Sequence, residues 1–163
     1  MNRKHFVLTG VRAEAPLMLL LEYADGASFT LDLTDIIRQH QELQALTDPV
    51  IFAAAAISEG GRSVIFGKND DLELAADNLR ARAVEAMGQV SHEFIWNWMA
   101  ANDLTLDVAA NAIGVSRRML AYYRGGRHPV PRTVALACIG WEKGISQRYD
   151  KPSAILAYGA ASL

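Results

Sequence analysis

The sequence predicts an α+β domain followed by an all-α domain. Its first 88 residues combine short apolar stretches bounded by turn-forming residues with helical segments, whereas beyond residue 88 the apolar positions recur at helical spacing. The net charge changes at the same point. It is −5 over residues 1 to 88, with eight basic and thirteen acidic side chains, and +3 over residues 89 to 163, with eight basic and five acidic. We therefore place the domain boundary near Gly88.

An antiparallel meander of three strands is predicted at the amino terminus. His5 to Arg12 and Leu17 to Tyr23 are rich in Val, Leu and Phe, and the second stretch is apolar almost throughout, as in a central strand. Asp25 and Gly26 supply the positive backbone angles of a tight turn. Ala27 to Leu31 then returns as the third strand.

A second hairpin and two helical segments complete the predicted α+β domain. LTDIIRQHQEL indicates one or two helical turns capped by Asp32 or Thr34, and a short turn follows at Pro49. AAAIS and SVIF flank Glu59 to Arg62 as a hairpin. The apolar spacing from Asp71 to Met87 suits a helix that ends at Gly88, and the point near Leu74 where a strand or turn gives way to that helix is left open.

The second domain begins with a scaffold helix and ends with another. Ser91 caps SHEFIWNWMAAN, whose buried side carries Phe94, Ile95, Trp98 and Met99. Trp96 falls on the opposite side, where it is either an exposed aromatic or a contact to the first domain or to a second subunit. Pro131 fits the first turn of a last helix that ends near Gly144. The apolar tail, Ile145 to Leu163, is expected to dock on a surface or on a partner chain.

Between these helices, TLDVAANAIGVSRRMLAYYRGG (Thr105 to Gly126) predicts two short helices joined by a tight turn. The apolar face of the first consists of Leu106, Ala109, Ala110 and Ile113. Gly114 is expected to end it in a left-handed conformation, and Ser116 to cap the second helix. Leu120 and Tyr123 then point inward. The outward positions are Arg117, Arg118, Ala121 and Tyr122.

This stretch resembles a helix-turn-helix of the phage-repressor (Cro/repressor-like) kind. The resemblance rests on Thr105, Ala109, Ala110, the run Ile113 to Ser116, Leu120, Tyr123 and Gly126, in order and without a gap. It implies that the second helix lies in the major groove of DNA while the first crosses the DNA backbone. Members often carry Gln after the threonine, where it contacts phosphate. Leu106 occupies that position here, so this contact is not implied.

The hypothesis from these residues is sequence-specific binding of double-stranded DNA by a transcriptional regulator, through a recognition helix at about 116–124. The expected base readers are Arg117, Arg118 and Tyr122, and the expected phosphate-binding residues are Ser116, Arg124, Arg127 and Arg132. One such module reads little sequence, so we expect a homodimer on a pseudo-palindromic site.

Two alternatives remain open for the same stretch. An ordinary helical hairpin can carry a solvated arginine face, although such faces usually mix charge signs, and no acidic residue lies between Arg117 and Arg132. A protein-interaction module or adaptor could also keep the fold without binding DNA. Coverage of Arg117 and Arg118 by the acidic first domain, so that a duplex cannot approach, would favour that second alternative.

The first 85 or so residues resemble a small bacterial family of domains of unknown function. The resemblance rests on YADGASFTLDL, TDPVIFAAA and SVIFGKNDDLELAADNL, in that order. In that family the equivalent strand often ends in Trp and Pro, whereas here Gly67 follows Phe66. The resemblance implies a small α+β domain, sometimes joined to a repressor-like domain, and no known activity. We assign it to dimerisation or to sensing a protein partner or small ligand.

The sequence gives little support for catalysis, metals or cofactors. The histidines His5, His40, His92 and His128 are widely spaced, and no glycine-rich phosphate loop occurs. Asp70 and Asp71 form a pair that is better explained as a helix-start charge cluster than as a cation site. Cys138 is the lone cysteine, which excludes an intrachain disulfide. With neither a membrane span nor a signal sequence, the expected location is the cytoplasm.

Overall fold

The computed structural model describes residues 4–67 and 72–146. The chain divides into two compact units, Met1–Glu93 and Phe94–Leu163. Strands and helices alternate in the first unit, and the described part of the second is helical. The predicted order of an α+β region followed by a helical region is therefore confirmed. The functional division at Gly88 stays a prediction.

The first antiparallel sheet consists of β1 (Leu8–Glu14), β2 (Met18–Tyr23) and β3 (Ser28–Asp32), in that order. The predicted meander is confirmed, with one correction at its start. Residues Lys4–Phe6 form a 3-10 turn and not the beginning of β1. The Arg80 Nη1 atom donates a hydrogen bond to the His5 carbonyl (2.7 Å), which therefore bonds to a side chain far away in the sequence.

A second antiparallel sheet consists of β4 (Ala55–Ile57), β5 (Ser63–Phe66) and β6 (Glu73–Ala75). The predicted β4–β5 hairpin is confirmed. The boundary that the sequence left open near Leu74 is defined by the structure, because β6 extends to Ala75 and the next helix begins at Ala76. Leu74 pairs with Val64 in the ladder, and the Ala76 amide donates to the Arg62 carbonyl (2.8 Å), which holds this segment extended.

The helices of the first unit are α1 (Thr34–Gln39), α2 (Pro49–Ala53) and α3 (Ala76–Ala86), with a 3-10 segment at Gln41–Thr47. The sequence predicted a short turn at Pro49, whereas Pro49 begins α2. The Asp48 carboxylate accepts from the Val50 amide (2.8 Å), which caps the helix, and proline at the first helical position has no amide to leave unpaired.

One apolar core joins the two sheets and α3. Its fully buried side chains include Leu19, Leu21, Leu33, Leu46, Val64 and Phe66. At its edge the Tyr23 hydroxyl donates to the Ala76 carbonyl (2.8 Å), and Arg80 pairs with Asp25 (2.8 Å). Burial alone would raise the pKa of Asp25, but hydrogen bonds from Arg80 and the Ala27 amide, with the Arg80 charge, outweigh it and lower that pKa.

The helical region contains α4 (His92–Ala101), α5 (Leu106–Ala112), α6 (Arg117–Arg124) and α7 (Arg132–Ser146). Its buried side chains are Ile95, Trp98, Met99, Ala109, Ala110, Leu120, Tyr123, Val130, Val134, Ala135 and Cys138. Burial raises the pKa of the Cys138 thiol to about 11, as expected for an inert core cysteine. No helix within residues 4–67 and 72–146 combines the length and apolarity required to cross a bilayer.

Gly60 and Gly61, in the turn before β5, test how closely that turn packs against β1. Both have positive φ (80° and 70°), but a Cβ on Gly60 would meet nothing within 4 Å, whereas one on Gly61 would lie 2.5 Å from the Leu8 carbonyl oxygen. We expect Gly60→Ala to lower the free energy of unfolding by about 1–2 kcal/mol, the cost of the left-handed conformation. Gly61→Ala should cost about 1–3 kcal/mol more, because backbone must move. Urea denaturation measures both, and equal losses would contradict this packing.

Candidate nucleic-acid interface

Two local motifs build the bend between α5 and α6. Gly114, with φ of +71°, ends α5, and the amides of Gly114 and Val115 donate to the carbonyls of Asn111 (3.3 Å) and Ala110 (3.0 Å). This is the Schellman pattern of a helix that ends in a left-handed residue. The Ser116 hydroxyl then accepts from the Met119 amide (3.2 Å), which caps α6. Both predicted roles, for Gly114 and for Ser116, are confirmed.

Small and apolar side chains fix which face of α6 points outward. Ala109 and Ala110 of α5, and Leu120 and Tyr123 of α6, are buried. Leu106 and Ile113 are half-buried, so the buried face of α5 is narrower than the sequence predicted. On the outward side of α6, Arg117 and Arg118 are exposed and Ala121 and Tyr122 are half-buried.

Arginines occupy the first turns of two helices. Arg117 and Arg118 begin α6, Arg132 begins α7, and neither of these fully described first turns contains an acidic residue. The amino end of a helix carries a partial positive charge, so cations there are disfavoured by the helix dipole. Helix stability therefore does not explain these arginines, whereas the same ends attract anions such as phosphate.

Arg117 forms an ion pair with α5. Its Nε atom lies 2.9 Å from Oδ1 of Asp107, and the two side chains are 67% and 66% exposed. Asp107 itself lies in the first turn of α5, where the helix dipole favours an anion. The contact links the first turns of the two helices on a solvent-facing side.

Tyr122 is the centre of a second cluster. Its hydroxyl accepts a hydrogen bond from Nε of Arg118 (2.6 Å), whose guanidinium carbon lies 5.4 Å from the centre of the tyrosine ring. The guanidinium of Arg127 lies 4.6 Å from the same ring centre, and the ring of His128 meets it edge-on at 5.1 Å. The side chain of Tyr122 therefore contacts two cations and an imidazole.

The end of α6 explains why Arg127 reaches Tyr122. After Gly125 the chain turns back, and the amides of Gly126 and Arg127 donate to the carbonyls of Tyr123 (3.1 Å) and Tyr122 (2.9 Å). In this second Schellman pattern, the residue beyond the turn commonly contacts the residue three positions before the cap. The backbone thus delivers the Arg127 side chain to the tyrosine ring.

The fold itself gives Arg124 a partner. Its guanidinium lies 4.6 Å from the ring centre of Trp96, which is 50% exposed on α4. Arg124 also lies in the last turn of α6, where the helix dipole favours a cation. Trp96, which the sequence placed outside the buried stripe, is thus partly covered by an arginine of its own unit.

The ion pair of Arg117 and the cluster around Tyr122 contain four of the seven candidate side chains, Arg117, Arg118, Tyr122 and Arg127. Of the other three, Ser116 caps α6, Arg124 lies over Trp96 and Arg132 begins α7. Sequence reasoning missed Asp107, His128 and Trp96 as their partners. His128 directly follows Arg127 in the sequence, and this position could have indicated that it belongs to the site. The pairs that Asp107 and Trp96 form cross from one helix to another, and no local spacing predicts them.

Other candidate sites add nothing to this interface. Within the described ranges, no group of three His, Cys, Asp or Glu side chains is placed to hold a metal ion. Asp70 and Asp71 lie outside the described residues, as does the tail beyond Ser146. The predictions for those segments stay predictions.

The fold is that of a protein with an α+β unit followed by a helical region, in which α5 and α6 form a helix-turn-helix. No family model and no curated protein matches the chain. Among solved structures, the chain is similar to the crystal structure of "Putative DNA Binding Protein NE0471" from Nitrosomonas europaea. The two are 38% identical with a TM-score of 0.78, over 94% of this chain and 97% of that one. The chain belongs to the same family as that protein. The resemblances to the repressor-like and unknown-function families stay predictions.

Ser116 offers a test of the cap that starts α6. We expect Ser116→Ala to lower the free energy of unfolding by about 1 kcal/mol, because the Met119 amide loses its acceptor. Ser116→Asp should keep wild-type stability or exceed it, since aspartate is an equally good cap and its charge suits the helix dipole. Chemical denaturation of the full chain compares the two. A loss in the aspartate variant as large as in the alanine variant would argue against the cap.

Proposed function

We propose that the protein binds double-stranded DNA in a sequence-specific manner and acts as a transcriptional regulator, with α6 in the major groove. The observation that carries this proposal is the cationic surface formed by Arg117 and Arg118 at the start of α6, Arg127 in the loop after it and Arg132 at the start of α7. All four side chains are exposed, and the sequence from Arg117 to Arg132 contains no acidic residue, although Asp107 of α5 is paired with Arg117. A helix of this kind fits a groove of about 12 Å in width.

The side chains divide by position into two roles. Arg117, Arg118 and Tyr122 lie on the outward face of α6 and are the proposed base readers, with arginine suited to bidentate contact with guanine. Ser116, Arg124, Arg127 and Arg132 are the proposed phosphate-binding residues. The arginines that begin α6 and α7 support this assignment, because they stand where helix stability disfavours cations.

The family supports the same proposal. The Nitrosomonas europaea relative carries DNA binding in its name, and its likeness extends over nearly the whole of both chains. Within the helical region, the side chains of Arg117 and Arg118 are exposed, as a role in reading bases requires. We therefore keep DNA as the proposed partner.

A homodimer on a pseudo-palindromic site completes the proposal. A single recognition helix contacts few base pairs, so two copies are needed to discriminate one site from the many competitors in a genome. The α+β unit is proposed to support dimerisation or to sense a partner or small ligand. The role is one of binding and not of catalysis, and it requires a cytoplasmic location, where bacterial DNA is accessible.

A double substitution tests the base readers. We expect Arg117→Ala with Arg118→Ala to reduce discrimination between the best site and random duplex by about 1–3 kcal/mol per lost bidentate contact. The control is Arg12→Ala with Arg38→Ala, which removes two equally exposed, ion-paired arginines from the α+β unit and changes the net charge by the same amount. Fluorescence anisotropy with both duplexes measures the ratio. An unchanged ratio in the first variant, or an equal loss in the control, would show that Arg117 and Arg118 are not readers.

Salt dependence and stoichiometry test the phosphate contacts and the dimer. Three of the proposed phosphate contacts per chain are cationic (Arg124, Arg127 and Arg132), so log K should fall with log salt at a slope near −2.7 for one chain and near −5.4 for two, at about 0.9 per phosphate neutralised. Arg132→Ala should make the dimer slope shallower by about 1.8 and weaken binding to all sequences equally. Sedimentation with and without duplex gives the number of chains bound. A protein that is monomeric under both conditions would contradict the proposed homodimer but not the proposed binding of DNA.

A further inference from the structure

Arg117 and Arg118 have one property in common: the protein contacts each at its Nε atom. We propose that Asp107 and Tyr122 are positioning residues that aim these arginines at guanine bases, so that each half-site contains guanine in the major groove at the two positions they reach. This inference rests on the proposed function and adds the base that is read and the residues that select it.

The contact at Nε determines which edge of the guanidinium remains for a ligand. Arginine has five N–H donors in a rigid, planar fork. Asp107 lies 2.9 Å from Nε of Arg117, and the Tyr122 hydroxyl accepts from Nε of Arg118 at 2.6 Å. Both contacts engage the side of the fork and leave its end, where Nη1 and Nη2 lie next to each other. Two adjacent donors match the O6 and N7 acceptors of guanine, whereas adenine presents a donor beside its N7.

The helix dipole favours an anion in the first turn of α5, but neither fold stability nor attraction to DNA accounts for the contact of Asp107 with Arg117 as well as positioning does. Its pair with Arg117 is about two-thirds exposed on both sides, and exposed pairs contribute little to stability. A carboxylate beside the recognition helix also repels phosphate, so it weakens binding to DNA of any sequence. Its benefit is that Arg117 is already ordered before binding and loses less conformational entropy when it contacts a base.

Tyr122 provides an uncharged anchor for Arg118. The guanidinium of Arg127 over its ring and the edge-on His128 ring hold it in place from the turn that ends α6. The hydroxyl therefore occupies a fixed position, and its bond to Arg118 spans one helical turn. Because Tyr122 is neutral and Asp107 is anionic, their removal should affect binding to random DNA differently.

Substitutions of Asp107 separate positioning from charge. We expect Asp107→Ala to bind random-sequence duplex about two- to threefold more tightly, since one anion is lost, but to lose about tenfold in discrimination for guanine. Asp107→Asn should gain the same affinity for random duplex and keep most of the discrimination, because its amide oxygen still accepts from Arg117. A purely structural role would move both measurements in the same direction in both variants.

A substitution of Tyr122 provides the second arm. Tyr122→Phe keeps the ring under Arg127 and beside His128 and removes only the acceptor for Arg118. We expect discrimination to fall about tenfold at the one guanine position that Arg118 contacts, and to persist at the position that Arg117 contacts. The position affected should differ from the one that responds to Asp107→Ala, because each residue serves a different arginine.

The experiment uses the full-length protein and a duplex selected from a randomised pool. Each guanine of the selected half-site is replaced in turn by 7-deazaguanine, which lacks N7, or by adenine, and dissociation constants are measured for wild type, D107A, D107N and Y122F. Thermal unfolding confirms that each variant folds. Selected half-sites without guanine, or undiminished discrimination in D107A and Y122F, would overturn this inference alone. Greater discrimination in D107A would show instead that Asp107 withholds Arg117 from DNA. A wild-type protein that selects no duplex would overturn both this inference and the proposed function.

Discussion

The close packing of α5 against α6 is the constraint on which the candidate interface depends. Ala109 and Ala110 bring the helices together, and the left-handed Gly114 reverses the chain in the few residues available. Because Leu120 and Tyr123 are buried on one side of α6, Arg118 lies on the other, and Arg117, at the first position of the helix, is exposed next to it. A different crossing of the helices would separate Asp107 from Arg117. The geometry of the exposed cations is therefore set by buried alanines and one glycine.

At two helix starts, the positive charges on the exposed surface lower the stability of the helix itself. Cations in the first turns of α6 and α7 oppose the helix dipoles, whereas Asp107 at the start of α5 and Arg124 at the end of α6 agree with theirs. The helix caps and the burial of apolar side chains must therefore offset the unfavourable interaction of these cations with the helix dipoles. Features that break a local rule while the surrounding structure obeys it are expected at functional sites.

Local rules predicted local structure, and contacts between distant residues decided the rest. Gly114 and Ser116 were predicted because their roles depend on neighbours in the chain. The point near Leu74 where the strand ends and the next helix begins stayed open, because helical spacing also fitted a segment that ladder pairing with β5 holds extended. His5 and Phe6, which were predicted to be strand, lie in a 3-10 turn, and the distant Arg80 donates a hydrogen bond to the His5 carbonyl. In the candidate site the outward arginines followed from helical periodicity, but the partner that orients Arg117 lies on another helix.

The low net charge of the chain and the anion at Asp107 are both consistent with the proposed binding of specific DNA sites. A regulator must prefer its site over a great excess of other DNA, so the ratio of specific to non-specific affinity matters more than either affinity. The chain has a net charge of −2, and Asp107 places an anion within the cationic surface. Exposed charges are screened over about 8 Å at physiological salt, so acidic residues farther away scarcely affect binding at the groove. Asp107 lies within that range of Arg117. In the proposed function, its negative charge lowers attraction to every DNA sequence, while its contact with Arg117 favours the sequence that the ordered guanidinium fits.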